Sequence, residues 1–228
     1  SKIAVGASYI LDNRKLLSSI GYAHSQSSIN NLRIDDLTFG TRWSPVRDHS
    51  FQARLMLSNI QANSAGTAVN GQNWSYFATY QGRFLQGKLR QNFMVNQRRL
   101  VDIFTLNERT SLNVRSISTV KFTQKFTSTL SAGYMKGTLT SGFGVSEYQN
   151  IPISFTPNFS SKNRNIINPT YNFLHSRIGT DKLITNGVRL NMFYSNPDRN
   201  TLLSLNLTGG YNKFIDSIDH NLLFNALA

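Results

Sequence analysis

Apolar and polar residues alternate along most of this chain, in runs of about a dozen residues, longer than the roughly 5–6 of an ordinary strand. The clearest case is residues 110–138, which predict two strands joined by a tight turn at Gln124-Lys125. The apolar positions recur at every second residue: Leu112, Val114, Val120 and Phe122 on the first strand, and Leu130, Ala132 and Tyr134 on the second. Because side chains alternate between the two faces of a strand, each strand has one apolar and one polar face. A tilted strand needs about 9–11 residues to cross a bilayer, so the pattern is typical of a transmembrane β-barrel.

The same alternation predicts an all-β chain of about twelve long strands in an antiparallel up-and-down barrel, with no helix. Ten of the strands are predicted outside the hairpin 110–138: 2–11, 15–25, 35–44, 50–60, 72–84, 88–98, 165–174, 183–194, 202–214 and 217–228. Residues 141–164 contain Pro152 and Pro157 and have little clear period, so we predict that they form the longest irregular stretch. Pro169 interrupts the pattern of the strand that follows.

Loop lengths predict an orientation. Short connections follow the first, third, fifth, seventh and eleventh strands, and longer ones are predicted at 26–34, 61–71, 99–109 and 139–165. Outer-membrane barrels have short periplasmic turns and longer extracellular loops, so we expect the longer connections outside the cell. The first strand would then begin outside. We therefore expect one domain over residues 1–228, either closed as twelve strands or part of a barrel of 14 or more, with a strand missing at each end.

Composition excludes several classes of protein. No apolar run approaches the ~18 residues of a membrane helix, and the mean hydropathy is −0.29. The chain has no cysteine, its four histidines lack the spacing of metal ligands, and no Ser–His–acid set is evident. We therefore predict no enzyme activity, no metal and no cofactor.

Charge is distributed unevenly over the predicted strands of this chain, which has a net charge of +13. The 11 carboxylates are predicted in turns, loops or strand ends, whereas eight basic residues are predicted mid-strand on the polar face: Arg42, Arg54, Arg83, Arg90, Arg98, Arg115, Lys121 and Arg189. In a barrel that face lines the lumen, where these cations would attract anionic solutes or an acidic partner. A wide, wet lumen that simply solvates them is the alternative.

The opposite face is predicted to contact lipid through Trp74, Tyr76, Leu112, Val114, Leu130, Leu203 and Leu205. Lys136 and Lys213 share the apolar phase, each two residues after a tyrosine. They either extend to lipid headgroups beside an aromatic girdle or mark strands that have already ended.

Two segments, TVKFTQKFTSTLSAGYMKG and NGVRLNMFYSNPDRN, combine polar and aromatic strands with basic turns. In this the chain resembles the outer-membrane β-barrels of Gram-negative bacteria, in the style of those of Bacteroidota. The resemblance implies a barrel in the bacterial outer membrane, with membrane lipid and other envelope proteins as partners, and it implies no catalytic residue. It leaves open a pore or a membrane-embedded component of an envelope assembly.

Nucleic acid is not an expected partner, because the basic and aromatic residues are predicted on opposite faces. Two other hypotheses remain. One is a soluble β-sandwich or β-barrel that binds a hydrophobic or anionic ligand, in which the alternation reflects a half-buried sheet. The other is an outer-membrane enzyme, against which the scarcity of acidic residues argues.

Overall fold

The structure, a computed structural model, describes residues 1–11, 15–28, 31–64, 67–160, 166–196, 201–214 and 220–227. These residues form an all-β fold with thirteen strands: β1 Lys2–Leu11, β2 Leu16–Gln26, β3 Arg33–Trp43, β4 His49–Ser64, β5 Thr67–Phe84, β6 Leu89–Asp102, β7 Asn107–Lys121, β8 Phe126–Ser141, β9 Gly144–Ser160, β10 Ile166–Ile178, β11 Asp181–Asn196, β12 Thr201–Phe214 and β13 His220–Leu227. Among the described residues, no helix is long and apolar enough to cross a membrane.

The strands lie in the sheet in the order in which they occur in the chain. Neighbouring strands pair antiparallel within β1–β5 and within β9–β13. The predicted antiparallel meander of long strands is therefore confirmed, with one strand more than the predicted twelve. Closure of the sheet into a barrel stays a prediction.

The additional strand is β9, and the predicted irregular stretch at 141–164 is wrong. Residues 144–160 form this strand, which pairs with β10 between residues 148 and 160, where Phe155 lies opposite Tyr171 and Pro152 opposite Leu174. The two prolines hid an alternation that the apolar residues at odd positions maintain: Ile151, Ile153, Phe155 and Phe159. Proline removes one backbone donor, but the strand continues because its side chains still fit one apolar face.

Long loops at 61–71 and 99–109 were also wrongly predicted. β4 and β5 extend to residues 64 and 67, and their polar ends stay paired, with Asn63 opposite Ala68. β6 and β7 likewise leave only residues 103–106 as a connection. The strand bounds leave two to six residues between consecutive strands, so connection length does not distinguish the two edges of the sheet at which the strands end. The orientation relative to a membrane stays a prediction without that support.

Contacts between Cα atoms divide the chain into two compact units. Unit 1 comprises residues 1–82, 93–114 and 135–147, and includes β1–β4 and most of β5. Unit 2 comprises residues 83–92, 115–134 and 148–228, and includes β10–β13. The predicted single domain stays a prediction.

Neither unit shows a conventional hydrophobic core in its described residues. The buried hydrophobic residues there are Ala62 and Ile103, and no large side chain is fully buried. Many large apolar side chains are instead exposed, Tyr76 by 40% and Leu130 by 47%. An apolar surface of this extent needs an apolar partner, because water does not solvate it favourably.

The few buried contacts include the one that holds the connection after β6. Ile103 is 4% exposed, and a Cβ atom at Gly71 on β5 would overlap with Ile103 Cγ2 and lie 3.7 Å from Val101 Cγ1. Beside it, the Val101 amide donates a 2.6 Å hydrogen bond to Asn73 Oδ1. The missing side chain at Gly71 therefore allows this connection to pack onto β5.

We expect Gly71→Ala to lower the free energy of unfolding by about 1 kcal/mol, because the added methyl group overpacks the Ile103 contact. Urea unfolding of the purified protein, followed by tryptophan fluorescence, measures the change. Gly142→Ala is the control, since a Cβ atom there meets nothing within 4 Å. In an Ile103→Ala background, Gly71→Ala should no longer lower the free energy of unfolding. An equal loss with Ile103 and with Ala at position 103 would show that the contact with Ile103 is not the cause.

Candidate functional site

In unit 1 the strand register collects the apolar positions of β1–β5 on one side of the sheet, which we call the apolar face. Two adjacent rows cross these five strands: Ala7, Ile20, Phe39, Leu55 and Tyr76 in one, and Val5, Tyr22, Leu37, Leu57 and Trp74 in the other. Cross-strand neighbours share a face, so these rows form a continuous apolar surface.

Unit 2 has a corresponding apolar face on β9–β12. Its register gives two rows of apolar residues: Phe155, Tyr171 and Val188 in one, and Phe159, Ile167, Met192 and Leu205 in the other. The basic residue Lys213 lies opposite Ile184. Lys213 thus shares the apolar phase, as the sequence predicts.

The residues predicted to contact lipid follow this pattern where the structure describes them. Trp74, Tyr76 and Leu205 lie on the apolar faces by register. Strand alternation places three more on the side opposite the serines that bind Arg98 and Arg115: Leu112, Val114 and Leu130. The side chain of Leu203 lies outside the described residues. Lipid contact itself stays a prediction.

The polar face of unit 1 brings together Arg42 on β3 and Arg54 on β4. Arg42 lies opposite Gln52 of β4, and Arg54 follows Gln52 by two residues on β4. The two arginines are therefore diagonal neighbours across the strand pair, with their Cα atoms about 7–8 Å apart. Together they line a cavity of about 390 Å³ whose other walls include Ser19 and Thr38. This site joins two cations with neutral hydrogen-bonding groups.

Arg54 also lines a second cavity, of about 420 Å³, together with Arg98 on β6. Polar side chains along its wall are Ser58, Asn73, Ser75 and Asn96. Arg98 is oriented by a 3.2 Å hydrogen bond from its Nε to Ser111 Oγ on β7. Arg42, Arg54 and Arg98 therefore form one basic surface, which we call the arginine cluster.

Carboxylates do not neutralise the arginine cluster directly. Among the described side chains, arginine forms ion pairs at Arg33–Asp35 and Arg99–Glu108, and neither pair involves the cluster. The prediction that every carboxylate lies in a turn, a loop or a strand end is wrong for Asp36 and Glu147, the fourth residues of β3 and β9. β3 begins two residues earlier than predicted, and the predicted irregular stretch around Glu147 is a strand.

Asp36 lies on the polar face, opposite Ser58 on β4. It is four residues from Gly40, the residue opposite Arg54, and hence roughly 13 Å away at about 3.3 Å per residue. Salt screens exposed charges beyond about 8 Å at physiological ionic strength, so Asp36 offsets the cluster only weakly.

Two further predicted lumen residues lie on the polar face of unit 2. Arg115 Nε donates a 3.2 Å hydrogen bond to Ser131 Oγ, and Arg189 lies opposite Thr170 and Thr208. β7 and β11, which carry these arginines, are separated by three strands, so the structure does not bring them together.

Four of the basic residues predicted mid-strand lie at strand ends, so the prediction is wrong for Arg42, Arg83, Arg90 and Lys121. Arg42 and Arg83 are the penultimate residues of β3 and β5, Arg90 is the second residue of β6 and Lys121 is the last of β7. These strands extend further than predicted at their other ends, which moves their midpoints away from the four residues. Their charge therefore lies close to the connections 44–48, 85–88 and 122–125.

Sequence analysis missed a polar cluster on the apolar face near the ends of β2 and β3. Asp35 Oδ1 accepts a 2.6 Å hydrogen bond from the Tyr22 hydroxyl and lies 2.7 Å from His24 Nδ1. Arg33 Nε donates to Asp35 Oδ2 at 2.9 Å. A histidine before the predicted loop and a carboxylate after it were the available signal, but only the register shows that they meet.

A second such pair lies near the ends of β6 and β7. Arg99 donates two parallel hydrogen bonds to Glu108, from Nε to Oε1 and from Nη2 to Oε2, both 2.7 Å long. A fork-to-fork pair of this kind has the geometry in which arginine binds carboxylate best. Its role is structural, because it joins neighbouring strands beside the connection 103–106.

The described histidine and carboxylate side chains include no group of three that could hold a metal ion. No protein-family model matches the chain, and no curated protein matches it either.

Proposed function

We propose that this chain forms the wall of a β-barrel in a bacterial outer membrane, with the apolar faces toward lipid and the arginine cluster toward a water-filled interior that favours anionic solutes. The observation that carries the proposal is the separation of the two surfaces. In unit 1, Leu55 belongs to a five-strand apolar row, while the adjacent Arg54 lines two cavities, one with Arg42 and one with Arg98.

Strand length and burial support the membrane part of the proposal. The strands that bear complete rows in unit 1, β1–β5, contain between 10 and 18 residues, enough for a tilted crossing of about 9–11. A soluble β-sandwich would cover its apolar face with a second sheet. The described residues instead leave Phe39, Trp43 and Tyr76 more than a third exposed.

The arginine cluster supports the preference for anions. Its guanidinium groups remain charged at any physiological pH and present several donors each. Hydroxyl and amide groups beside them, such as Ser19 and Asn96, can bind the uncharged part of a solute. Charges of one sign along a confined passage concentrate counter-ions, so anions should enter more readily than cations.

The chain's two tryptophans give a direct test of insertion. Trp43 lies opposite Phe51 and Trp74 opposite Leu57, so both are on the apolar face. After reconstitution into bilayers of brominated phosphatidylcholine, we expect strong quenching of both tryptophans relative to unbrominated lipid, and weak quenching by aqueous iodide.

The matched control places a single tryptophan on the polar face. Ser75 follows Trp74 directly, and Ser75→Trp in a background of Trp43→Phe and Trp74→Phe should reverse the result, with iodide quenching and little effect of the lipid. Protein that stays dissolved without detergent, and whose tryptophans are not quenched by the brominated lipid, would favour the soluble binding module instead.

A further inference from the structure

Basic residues are distributed asymmetrically over the connections. Each of the six connections that follow the odd-numbered strands β1 to β11 contains Lys or Arg, and none of the six that follow the even-numbered strands does. The basic residues in the first group are Arg14, Lys15, Arg47, Lys88, Lys125, Lys162, Arg164 and Arg199, against three carboxylates, Asp12, Asp48 and Asp198. The charged residues in the second group of connections are the two carboxylates Asp216 and Asp219.

One of these basic positions lies beside an apolar cavity in unit 1. The cavity has a volume of about 430 Å³, within the range of about 300–1,000 Å³ that small-molecule sites occupy. Its lining combines apolar side chains with a few polar ones: Leu16, Thr41, Trp43, Phe51, Gln52, Ala53, Ala78 and Thr79. The small side chains of Ala53 and Ala78, which lie opposite each other, make room for it.

Aromatic rings form one end of this cavity. Trp43 and Phe51 stack with ring centroids 5.4 Å apart, and Phe51 and Tyr80 follow at 4.7 Å. The Tyr80 hydroxyl lies 2.8 Å from His49 Nδ1. Such a group, apolar at one end and polar at the other, is typical of a membrane–water interface.

Two cations lie next to the aromatic end. Lys15 precedes the cavity residue Leu16, and its carbonyl oxygen accepts a 2.6 Å hydrogen bond from the Ser44 amide, which fixes it beside the connection 44–48. That connection carries Arg47, whose side chain is exposed.

We propose that this cavity binds an anionic glycerophospholipid, with an acyl chain between Trp43, Ala53 and Ala78 and the headgroup phosphate at Lys15 and Arg47. The proposal rests on the proposed membrane location. Charge complementarity selects the occupant, because the apolar cavity would accept any acyl chain but the cations at its end favour a phosphate that no ammonium group neutralises.

Native mass spectrometry tests the site. Delipidated protein in detergent is titrated with dioleoyl-phosphatidylglycerol or with dioleoyl-phosphatidylcholine. We expect phosphatidylglycerol to bind more tightly, and Lys15→Gln and Arg47→Gln to weaken it by about fivefold each while leaving phosphatidylcholine unchanged. Ala78→Leu, which fills the cavity, should weaken both lipids.

The control removes two charges near the opposite ends of unit 1 strands. Lys2 lies opposite Ser25, and Arg109 follows the connection 103–106, so Lys2→Gln with Arg109→Gln should leave both affinities unchanged. Equal affinity for the two lipids would overturn the lipid site. So would a loss of phosphatidylglycerol affinity in this control as large as that caused by Lys15→Gln or Arg47→Gln. Quenching of Trp43 by brominated phosphatidylcholine would still show insertion, so failure of the lipid site and failure of the membrane location are distinguishable.

Discussion

Leu55→Arg is expected to prevent stable insertion of the chain into a bilayer, whereas Met56→Arg, one residue along β4, is expected to insert normally. Leu55 lies in the apolar row between Phe39 and Tyr76. Met56 lies on the polar face between Thr38 and Ser75. The two substitutions add the same charge to the same strand, and differ in the face that receives it.

The expected penalty follows from the proposed environment. Arginine at a lipid-facing midplane position costs roughly 2–4 kcal/mol, a factor of about 30 to 900 in the folding equilibrium. Denaturant titration in liposomes, read from the mobility of the folded form on unheated gels, measures it. A water-filled interior solvates the Met56→Arg guanidinium, so its midpoint should remain close to that of the unmodified protein.

Leu55→Trp distinguishes a lipid-facing surface from a packed core. Lipid accommodates the larger ring, while a core at close packing loses roughly 1–3 kcal/mol or more to overpacking. Leu55→Trp should therefore insert normally. Damage from it as severe as that from Leu55→Arg would indicate a soluble fold, and equal damage from Arg at 55 and 56 would contradict the assignment of the faces.

Alternation predicts this fold well where apolar and polar residues both occur regularly. The bounds of β1 are predicted to the residue, and the turn at Gln124-Lys125 lies between β7 and β8 as expected. The pattern fails where backbone pairing continues without it. Residues 61–71 are small and polar, yet Ala62 still pairs with Val69 across the hairpin, because hydrogen bonds between backbone groups need no particular side chain.

Strand phase alone predicts which face a residue occupies, but it does not predict which residues meet. The separation of Arg54 from Leu55 follows from parity. The shared cavities of Arg42, Arg54 and Arg98 depend instead on the register between β3 and β4 and on the place of β6 beside β5, which no local pattern specifies. The Asp35 cluster needs the same information, since its four members come from two strands.

Reversing the charge of the arginine cluster is expected to reverse the ion selectivity of the reconstituted protein. The triple variant Arg42→Glu, Arg54→Glu and Arg98→Glu replaces three positive charges with three negative ones on one continuous surface. Fields of one sign in a low-dielectric passage change local ion concentrations on the order of tenfold or more. The reversal potential in a KCl gradient across a planar bilayer should therefore change from anion to cation preference.

A matched triple variant separates this local effect from net charge. Lys88→Glu, Lys125→Glu and Lys182→Glu change the net charge by the same amount at exposed positions near strand ends, and should leave the reversal potential nearly unchanged. Asp36→Asn, which removes the carboxylate on the polar face of β3, should raise anion preference slightly.

An equal shift of the reversal potential from both triple variants would show that the cluster does not line the passage. Cation preference in the unmodified protein would contradict the assignment of the polar face. An absence of conductance would contradict the pore and favour a plugged or scaffolding barrel, because the arginine cluster would then face a partner instead of a solute.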